Sequence, residues 1–137
     1  MGEVYLSVVV PCYNERENLE CGVLEEMETY LKQVTFTWEL IISDDGSTDD
    51  SREIVRERIA NKQGFRLLEN PHGGKPSAVW YGIQASLGQV VLFTDMDQST
   101  PLDQFDRLHP LLTSGYDVAI GSRGMERENF PLYRRIG

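Results

Sequence analysis

Short apolar runs alternate along this chain with segments in which apolar residues recur every three or four positions. The short runs predict β-strands, and the longer segments predict helices between them. Strands are expected at residues 5–11, 37–43, 65–70, 89–94 and 116–123, and helices at 16–34, 52–61, 77–88 and 102–115, the last interrupted near Pro110. Strands that alternate with helices in this way are typical of a largely parallel sheet.

Some local expectations follow from the same pattern. Asn14 and Glu17 suit the N-terminal cap of the first predicted helix, and Ser47 or Thr48 suits that of the second. A further helix is expected to begin near Leu132. With 137 residues and no linker or low-complexity tract, the chain is expected to form one domain over residues 1–137.

Five polar segments follow the predicted strands. In chain order they read PCYNE, SDDGSTD, HGGK, DMDQST and GSR. In an open α/β sheet, ligands bind beyond the carboxyl ends of the strands, where loops and helix N-termini meet. We therefore expect these five segments to form one site.

Asp95 and Asp97 follow the fourth predicted strand, which is otherwise apolar. Hard divalent cations such as Mg²⁺ and Mn²⁺ prefer oxygen ligands, and a nucleotide diphosphate commonly completes their coordination shell. The pair therefore predicts a site for Mg²⁺ or Mn²⁺. The alternative is a solvated turn in which Asp95 caps a helix.

Acidic and aromatic side chains follow the first two predicted strands. Asp44 and Asp45 precede the turn at Gly46 and are poorly explained as helix caps, so that one of them is a candidate to accept hydrogen bonds from a nucleobase or ribose. Tyr13 offers a ring for stacking on a base, and Glu15 offers a further acceptor. The alternative is a strand end and a capped helix without a ligand.

Basic side chains are concentrated in two places at the same predicted edge. Lys75 follows two glycines before a helix, which suits a phosphate-facing loop as well as it suits a solvated turn. Arg123 follows the fifth strand, and Arg134 lies near the C-terminus, where planar guanidinium groups suit phosphate oxygens. The alternative for these arginines is a solvated basic tail. His72 and His109 are interpreted as surface or packing residues.

Charge and composition exclude some functions. The 22 acidic residues outnumber the 13 basic ones and give a formal net charge of −9, which argues against nucleic acid as a partner. No segment has the roughly 18 apolar residues needed to cross a bilayer, and the N-terminus does not resemble a signal peptide, so a cytoplasmic location is expected. Cys12 and Cys21 are expected to be free thiols.

Taken together, the motifs resemble those of the inverting family 2 glycosyltransferases, especially the polyprenyl-phosphate (dolichyl-phosphate-type) sugar transferases. The segments that carry the resemblance are VVVPCYNERENL, SDDGSTDDS, GGKPSAVWYG, DMDQSTP and AIGSR with FPLYRR, in the family's order. The resemblance implies the GT-A fold, a Rossmann-like three-layer α/β/α arrangement around a mainly parallel sheet. It also implies that residues 1–137 are the N-terminal, nucleotide-sugar-binding part of a longer catalytic domain.

The resemblance further implies roles for individual residues. The base and ribose of a UDP- or GDP-sugar would be held by Pro11, Tyr13, Glu15 and Asp45. Asp95 and Asp97 match the family's metal and diphosphate motif. Arg123 and Arg134 match arginines that bind the phosphate of a lipid acceptor. Membrane association is then expected only through a region beyond residue 137, with homo-oligomerisation as another way to cover apolar surface. The chain departs from many relatives at Gln98 and Ser99, because their glutamine stands one position later.

Two other functions are compatible with the residues. The segment DMDQS also suits an aspartate-nucleophile phosphatase, in which Asp95 attacks phosphorus and Asp97 acts as acid or base. Such motifs normally open a domain, whereas three strand–helix units precede this one. The second alternative is a nucleotide-binding module without catalytic activity.

Overall fold

The computed structural model describes residues 3–96 and the backbone of two later strands. Six strands and four helices are present in the described part: β1 (Leu6–Cys12), α1 (Arg16–Glu20), α2 (Val23–Leu31), β2 (Trp38–Asp44), α3 (Ser51–Ile59), β3 (Phe65–Glu69), α4 (Lys75–Ala85), β4 (Val90–Phe93), β5 (Val118–Ile120) and β6 (Tyr133–Arg134). The five strands predicted from the apolar runs are all found. The predicted helix at 102–115 lies outside the described residues.

The six strands form one sheet in the order β3-β2-β1-β4-β5-β6. β1 pairs in parallel with both β2 and β4, β2 with β3, and β4 with β5, whereas β6 runs antiparallel to β5. The expectation of a largely parallel sheet is confirmed. The strand order reverses between β1 and β4, and such a switch point opens a crevice beyond the strand ends.

Side chains on β1 and β2 alternate between two buried faces of the sheet. On one face, Val8, Val10 and Ile42 belong to a core that includes apolar residues of α1, α2 and α3. On the other face lie residues such as Ser43, whose hydroxyl donates to the Ala78 carbonyl oxygen of α4 at 2.6 Å. Helices therefore cover both faces, and the described part has three layers.

The prediction of a single continuous first helix is wrong. The sequence pattern predicted one helix at 16–34, but the structure has α1 and α2 separated at Cys21 and Gly22. Gly22 has a φ of 91°, a left-handed conformation that a glycine adopts without steric cost and that interrupts the helix. Apolar residues on both sides of the break are nevertheless buried, since Leu19, Met27 and Leu31 are at most 1% exposed.

The predicted caps of the first two helices are also wrong. Glu15 is the N-cap of α1, and its side chain forms no capping hydrogen bond. Asp50 occupies the N-cap of α3, and it is the Asp49 carboxylate that accepts from the backbone N–H of Ser51, at 2.8 Å. Short polar side chains compete for several local partners, so that the pattern alone does not fix the cap.

The helix predicted to begin near Leu132 is corrected by β6, which places Tyr133 and Arg134 in a strand. Val118 pairs with Arg134 and Ala119 with Tyr133, so that β6 covers the outer edge of β5. Pairing satisfies backbone groups that an open edge would expose. Among the helices of the described residues, none combines the length and the apolar composition that a membrane span requires.

Candidate functional site

An open cavity of about 380 Å³ lies beyond the carboxyl ends of β1, β2 and β4. Segments that follow four different strands contribute to its wall. The lining residues are Pro11, Cys12, Tyr13, Glu15, Asp45, His72, Gly74, Lys75, Ala78, Asp95 and Met96. The cavity thus lies at the switch point of the sheet, and six residues that the sequence nominated line it together.

One wall of the cavity is aromatic. The rings of Tyr13 and His72 lie with their centroids 4.7 Å apart and their planes tilted by 32°. Tyr13 is 41% exposed, which leaves part of its ring open to a ligand. The sequence interpretation missed His72, although its place beside two glycines after a strand was a usable signal.

Asp45 lines the cavity but already has partners within the chain. Its Oδ1 accepts from the backbone N–H of Gly73 at 2.9 Å, and its Oδ2 accepts from that of Gly74 at 3.0 Å. The Nδ1 of His72 lies 2.9 Å from both Oδ2 and the carbonyl oxygen of Asp45. Because both neighbours are acceptors, Nδ1 carries the proton. Asp45 therefore fixes the loop that leads into α4.

Asp44 is fully buried, and its carboxylate holds the turn that follows β2. It accepts from the backbone N–H groups of Gly46 and Ser47 at 3.0 and 2.9 Å and from the Ser47 hydroxyl at 2.5 Å. The Arg52 guanidinium lies 3.8 Å away. Of the two adjacent aspartates, Asp45 therefore lines the cavity, whereas Asp44 stabilises the turn through its hydrogen bonds and does not line the cavity.

Asn14 joins the loops that follow β1 and β2. It has a φ of 53°, and its side-chain oxygen accepts from the backbone N–H of Thr48 at 2.8 Å. Its own backbone N–H donates to the Ser47 hydroxyl at 3.0 Å, and that of Glu15 donates to the Ser51 hydroxyl at 2.8 Å. These bonds fix Tyr13 and Glu15 relative to Asp45 across the cavity.

Lys75 and Asp95 form an ion pair at the cavity. The Lys75 Nζ lies 2.5 Å from Oδ1 of Asp95. Lys75 is the first residue of α4, whereas Asp95 follows β4 by two residues. The carboxylate predicted to hold a metal thus faces a positive charge in this structure.

Cys12 lies in the cavity wall and is 1% exposed. Burial, with smaller contributions from the charges of Asp44 and Glu15, raises the pKa of its thiol to about 12. Cys12 is therefore a neutral thiol at physiological pH and does not serve as a nucleophile. The expectation that both cysteines are free thiols is confirmed.

The metal site predicted at Asp95 and Asp97 is only partly within the described residues. Residues 3–96 contain no group of three or more His, Cys, Asp or Glu side chains that could hold an ion. Asp97 and Arg123 lie outside the described residues, and only the backbone of Arg134 is described, in β6. Asp95 offers an oxygen ligand at the cavity, and its pairing with an ammonium fits a position that attracts cations.

Comparison with known proteins places these motifs in a family. Residues 7–137 match the family described as "Glycosyl transferase family 2". The chain is 35% identical over 151 residues to a dolichyl-phosphate beta-glucosyltransferase of Trichomonas vaginalis, covering 98% of this chain and 44% of that protein. It is also 35% identical over 133 residues to an undecaprenyl-phosphate 4-deoxy-4-formamido-L-arabinose transferase of Pectobacterium carotovorum, covering 96% of this chain and 40% of that protein.

A solved structure shows the same similarity. The glucosyl-3-phosphoglycerate synthase of Mycobacterium tuberculosis, in complex with Mn²⁺, uridine diphosphate and glucosyl-3-phosphoglycerate, superposes with a TM-score of 0.60 at 31% identity, over 82% of this chain and 40% of that one. The chain spans less than half the length of the relatives it matches. From the family match and these similarities, the chain belongs to glycosyl transferase family 2 and has the GT-A fold.

Proposed function

We propose that this chain binds a UDP- or GDP-sugar and belongs to an inverting transferase that moves the sugar to a polyprenyl phosphate. The observation that carries the proposal is the cavity at the switch point, where Tyr13, Asp45, Lys75 and Asp95 converge. A ring, a carboxylate acceptor, an ammonium and a potential metal ligand are the groups that a nucleotide diphosphate requires. The polyprenyl-phosphate relatives support the choice of acceptor.

The nucleoside is assigned to the end of the cavity that contains Tyr13 and Asp45. The exposed part of the Tyr13 ring offers a surface for the base, and Pro11 and Glu15 line the same cavity. A carboxylate has about four lone-pair sites, and three N–H donors of the chain already contact that of Asp45. One site is then left for an N–H or O–H group of the base or ribose.

The diphosphate is assigned to the end that contains Lys75 and Asp95. Asp95 and Asp97 would hold Mg²⁺ or Mn²⁺ together with the diphosphate oxygens, and the Mn²⁺ and uridine diphosphate in the mycobacterial structure support this assignment. A bound divalent cation would neutralise charge on the departing diphosphate. Lys75 reaches the same region and offers a second positive charge.

The acceptor phosphate is assigned to Arg123 and Arg134. A phosphate oxygen is already ionised at neutral pH, so that its attack on the anomeric carbon needs no general base. A bond forms between that oxygen and the anomeric carbon as the bond to the diphosphate breaks, and the nucleoside diphosphate leaves. The chain's residues then position two polyanions, which is a contribution of orientation and electrostatics.

The two alternatives are less well supported. A phosphatase that uses Asp95 as nucleophile needs a carboxylate free to attack, whereas Asp95 is paired with Lys75 and the family match is to glycosyl transferases. A nucleotide-binding module without catalysis would use the same cavity. It differs from a transferase only in turnover.

The test is a binding and turnover panel with UDP, GDP, CDP and ADP and their sugars, with and without Mn²⁺. We expect UDP or GDP at 100 times its dissociation constant to raise the free energy of unfolding by about 2.7 kcal/mol when Mn²⁺ is present, and Asp97→Asn to remove most of the metal-dependent part. Equal stabilisation without Mn²⁺ would contradict the metal assignment. Release of UDP or GDP that depends on polyprenyl phosphate, and that Arg123→Ala reduces, would separate a transferase from a binding module.

A further inference from the structure

The ion pair between Lys75 and Asp95 bridges two elements that are distant in the sequence. Its Nζ–Oδ1 distance is 2.5 Å, and both residues line the cavity. The Lys75 side chain is 61% exposed, whereas that of Asp95 is 25% exposed. The ammonium therefore sits at the solvent side of a carboxylate that is largely shielded.

A divalent cation bound to the Asp95 carboxylate at the cavity would lie close to the Lys75 ammonium. A lysine ammonium is a compact point charge, and a second cation within a few ångströms of it is repelled. Lys75 and a metal ion therefore compete for the same carboxylate. We propose that Lys75 is an internal counter-ion that occupies Asp95 before the nucleotide is bound and is transferred to the diphosphate when metal and nucleotide enter together. This inference rests on the proposed function.

The loop before α4 allows the side chain to move while its backbone stays fixed. Asp45 accepts from the N–H groups of Gly73 and Gly74, directly before Lys75. Gly74 has a φ of 98°, which glycine adopts without steric cost, and the hydrogen bonds to Asp45 hold the loop backbone in this conformation. The four-carbon stem of Lys75 is flexible and its side chain is largely exposed, so that it can change direction with little loss of buried contact area.

The exchange makes metal and nucleotide binding cooperative. Metal alone must displace the ammonium and leave it beside a second positive charge. A diphosphate supplies a new partner for the ammonium as well as oxygen ligands for the metal, which removes that cost. By linkage, the metal must then strengthen nucleotide binding by the same factor as the nucleotide strengthens metal binding.

The experiment measures Mn²⁺ affinity with and without UDP or GDP, whichever binds more tightly, from the electron paramagnetic resonance signal of free Mn²⁺. Lys75→Met removes the charge but keeps a side chain of similar length, and Lys75→Gln is a second variant in case the first folds poorly. Lys32→Met is the matched control, because Lys32 is 70% exposed and pairs with Glu28 at 3.4 Å on α2. Asp95→Asn tests whether the measured Mn²⁺ occupies the proposed site.

We expect Lys75→Met to tighten the binding of Mn²⁺ alone by about three- to tenfold, in keeping with an exposed ion pair and a relieved repulsion. The same variant should weaken nucleotide binding in the presence of Mn²⁺ and so reduce the coupling between the two ligands. Lys32→Met should change neither. Unchanged affinity for Mn²⁺ alone in Lys75→Met and Lys75→Gln, with weaker binding in Asp95→Asn, would overturn the counter-ion role and leave the metal site intact. Mn²⁺ affinity that Asp95→Asn does not alter, even with nucleotide, would overturn both proposals.

Discussion

Replacing Asp45 with alanine should destabilise the fold before any nucleotide is added. The change removes a carboxylate that is 3% exposed and accepts from Gly73, Gly74 and the Nδ1 of His72. Hydrogen bonds to a charged group contribute about 1.5–3 kcal/mol each when their partners stay buried. The loop that contains Gly73 and Gly74 is largely exposed, so that water can replace some of the lost hydrogen bonds. We therefore expect Asp45→Ala to lower the free energy of unfolding by about 2 kcal/mol in total.

Asp45→Asn provides the intermediate case. The Gly74 N–H also lies 3.2 Å from Oδ1, so that an amide oxygen in that position can accept from both glycines. The NH₂ group then faces the N–H of His72, a donor opposite a donor. We therefore expect about 1 kcal/mol of destabilisation from Asp45→Asn. Urea denaturation of the ligand-free chain measures both values, and a fixed slope with denaturant shows that only stability has changed.

Asp50→Ala is the matched control, because it removes an aspartate from the segment between β2 and α3. The Asp50 side chain is 66% exposed, and its carboxylate lies 3.5 Å from Arg16. A surface change of this kind should alter stability by no more than about 0.5 kcal/mol. If Asp45→Ala unfolds at the same urea concentration as Asp50→Ala, the loop-anchoring role of Asp45 is refuted, and a loss of nucleotide affinity would then reflect a direct contact alone.

Two further predictions concern the fold around the cavity. Gly82→Ala should destabilise the chain by about 1–3 kcal/mol, because the added Cβ would overlap Cγ1 of Val9. This loss should exceed the gain from the higher helix propensity of alanine. Urea denaturation measures the change, and Gln84→Ala, on the exposed side of α4, is the control. Burial raises the pKa of the Cys12 thiol from an ordinary 9.0 to about 12 in the folded chain. The neutral thiol therefore makes its full contribution to the free energy of unfolding below pH 9, and this contribution is lost as the pH rises toward 12. Between pH 8 and 10 the wild type should lose about 1.4 kcal/mol more stability than Cys12→Ala, and equal pH dependence would contradict the burial argument.

The sequence predicted the sheet and the edge that carries the site because both depend on long-range regularities. Apolar runs separated by helical segments define a parallel sheet, and the carboxyl ends of its strands must meet at one edge. Tyr13, Lys75 and Asp95 were therefore brought together as expected. The break at Gly22 was missed because the apolar stripe continues on both sides of it. β6 was missed because a two-residue strand is defined by its partner, not by its own pattern.

The roles of adjacent aspartates are harder to separate from sequence. Asp44 ends β2 and Asp45 follows it, and neighbouring residues of an extended segment point in opposite directions. The direction of each side chain depends on the turn, which the hydrogen bonds from Gly46 and Ser47 to Asp44 determine. His72 was missed for a related reason, since its partners, Tyr13 and Asp45, are supplied by loops after two other strands.

The two ends of the cavity are connected through the glycine loop. Asp45, at the end proposed for the nucleoside, holds Gly73 and Gly74, and the next residue, Lys75, pairs with Asp95 at the end proposed for the diphosphate. A nucleoside that forms a hydrogen bond with Asp45 would therefore also affect the backbone of Gly73 and Gly74, which positions the Lys75 ammonium. The energetic effects of substitutions at Asp45 and Lys75 on nucleotide binding should therefore not be additive, because the residues share one structural element. Two independent contacts would instead give additive effects, and the loop would then be only a connection between them.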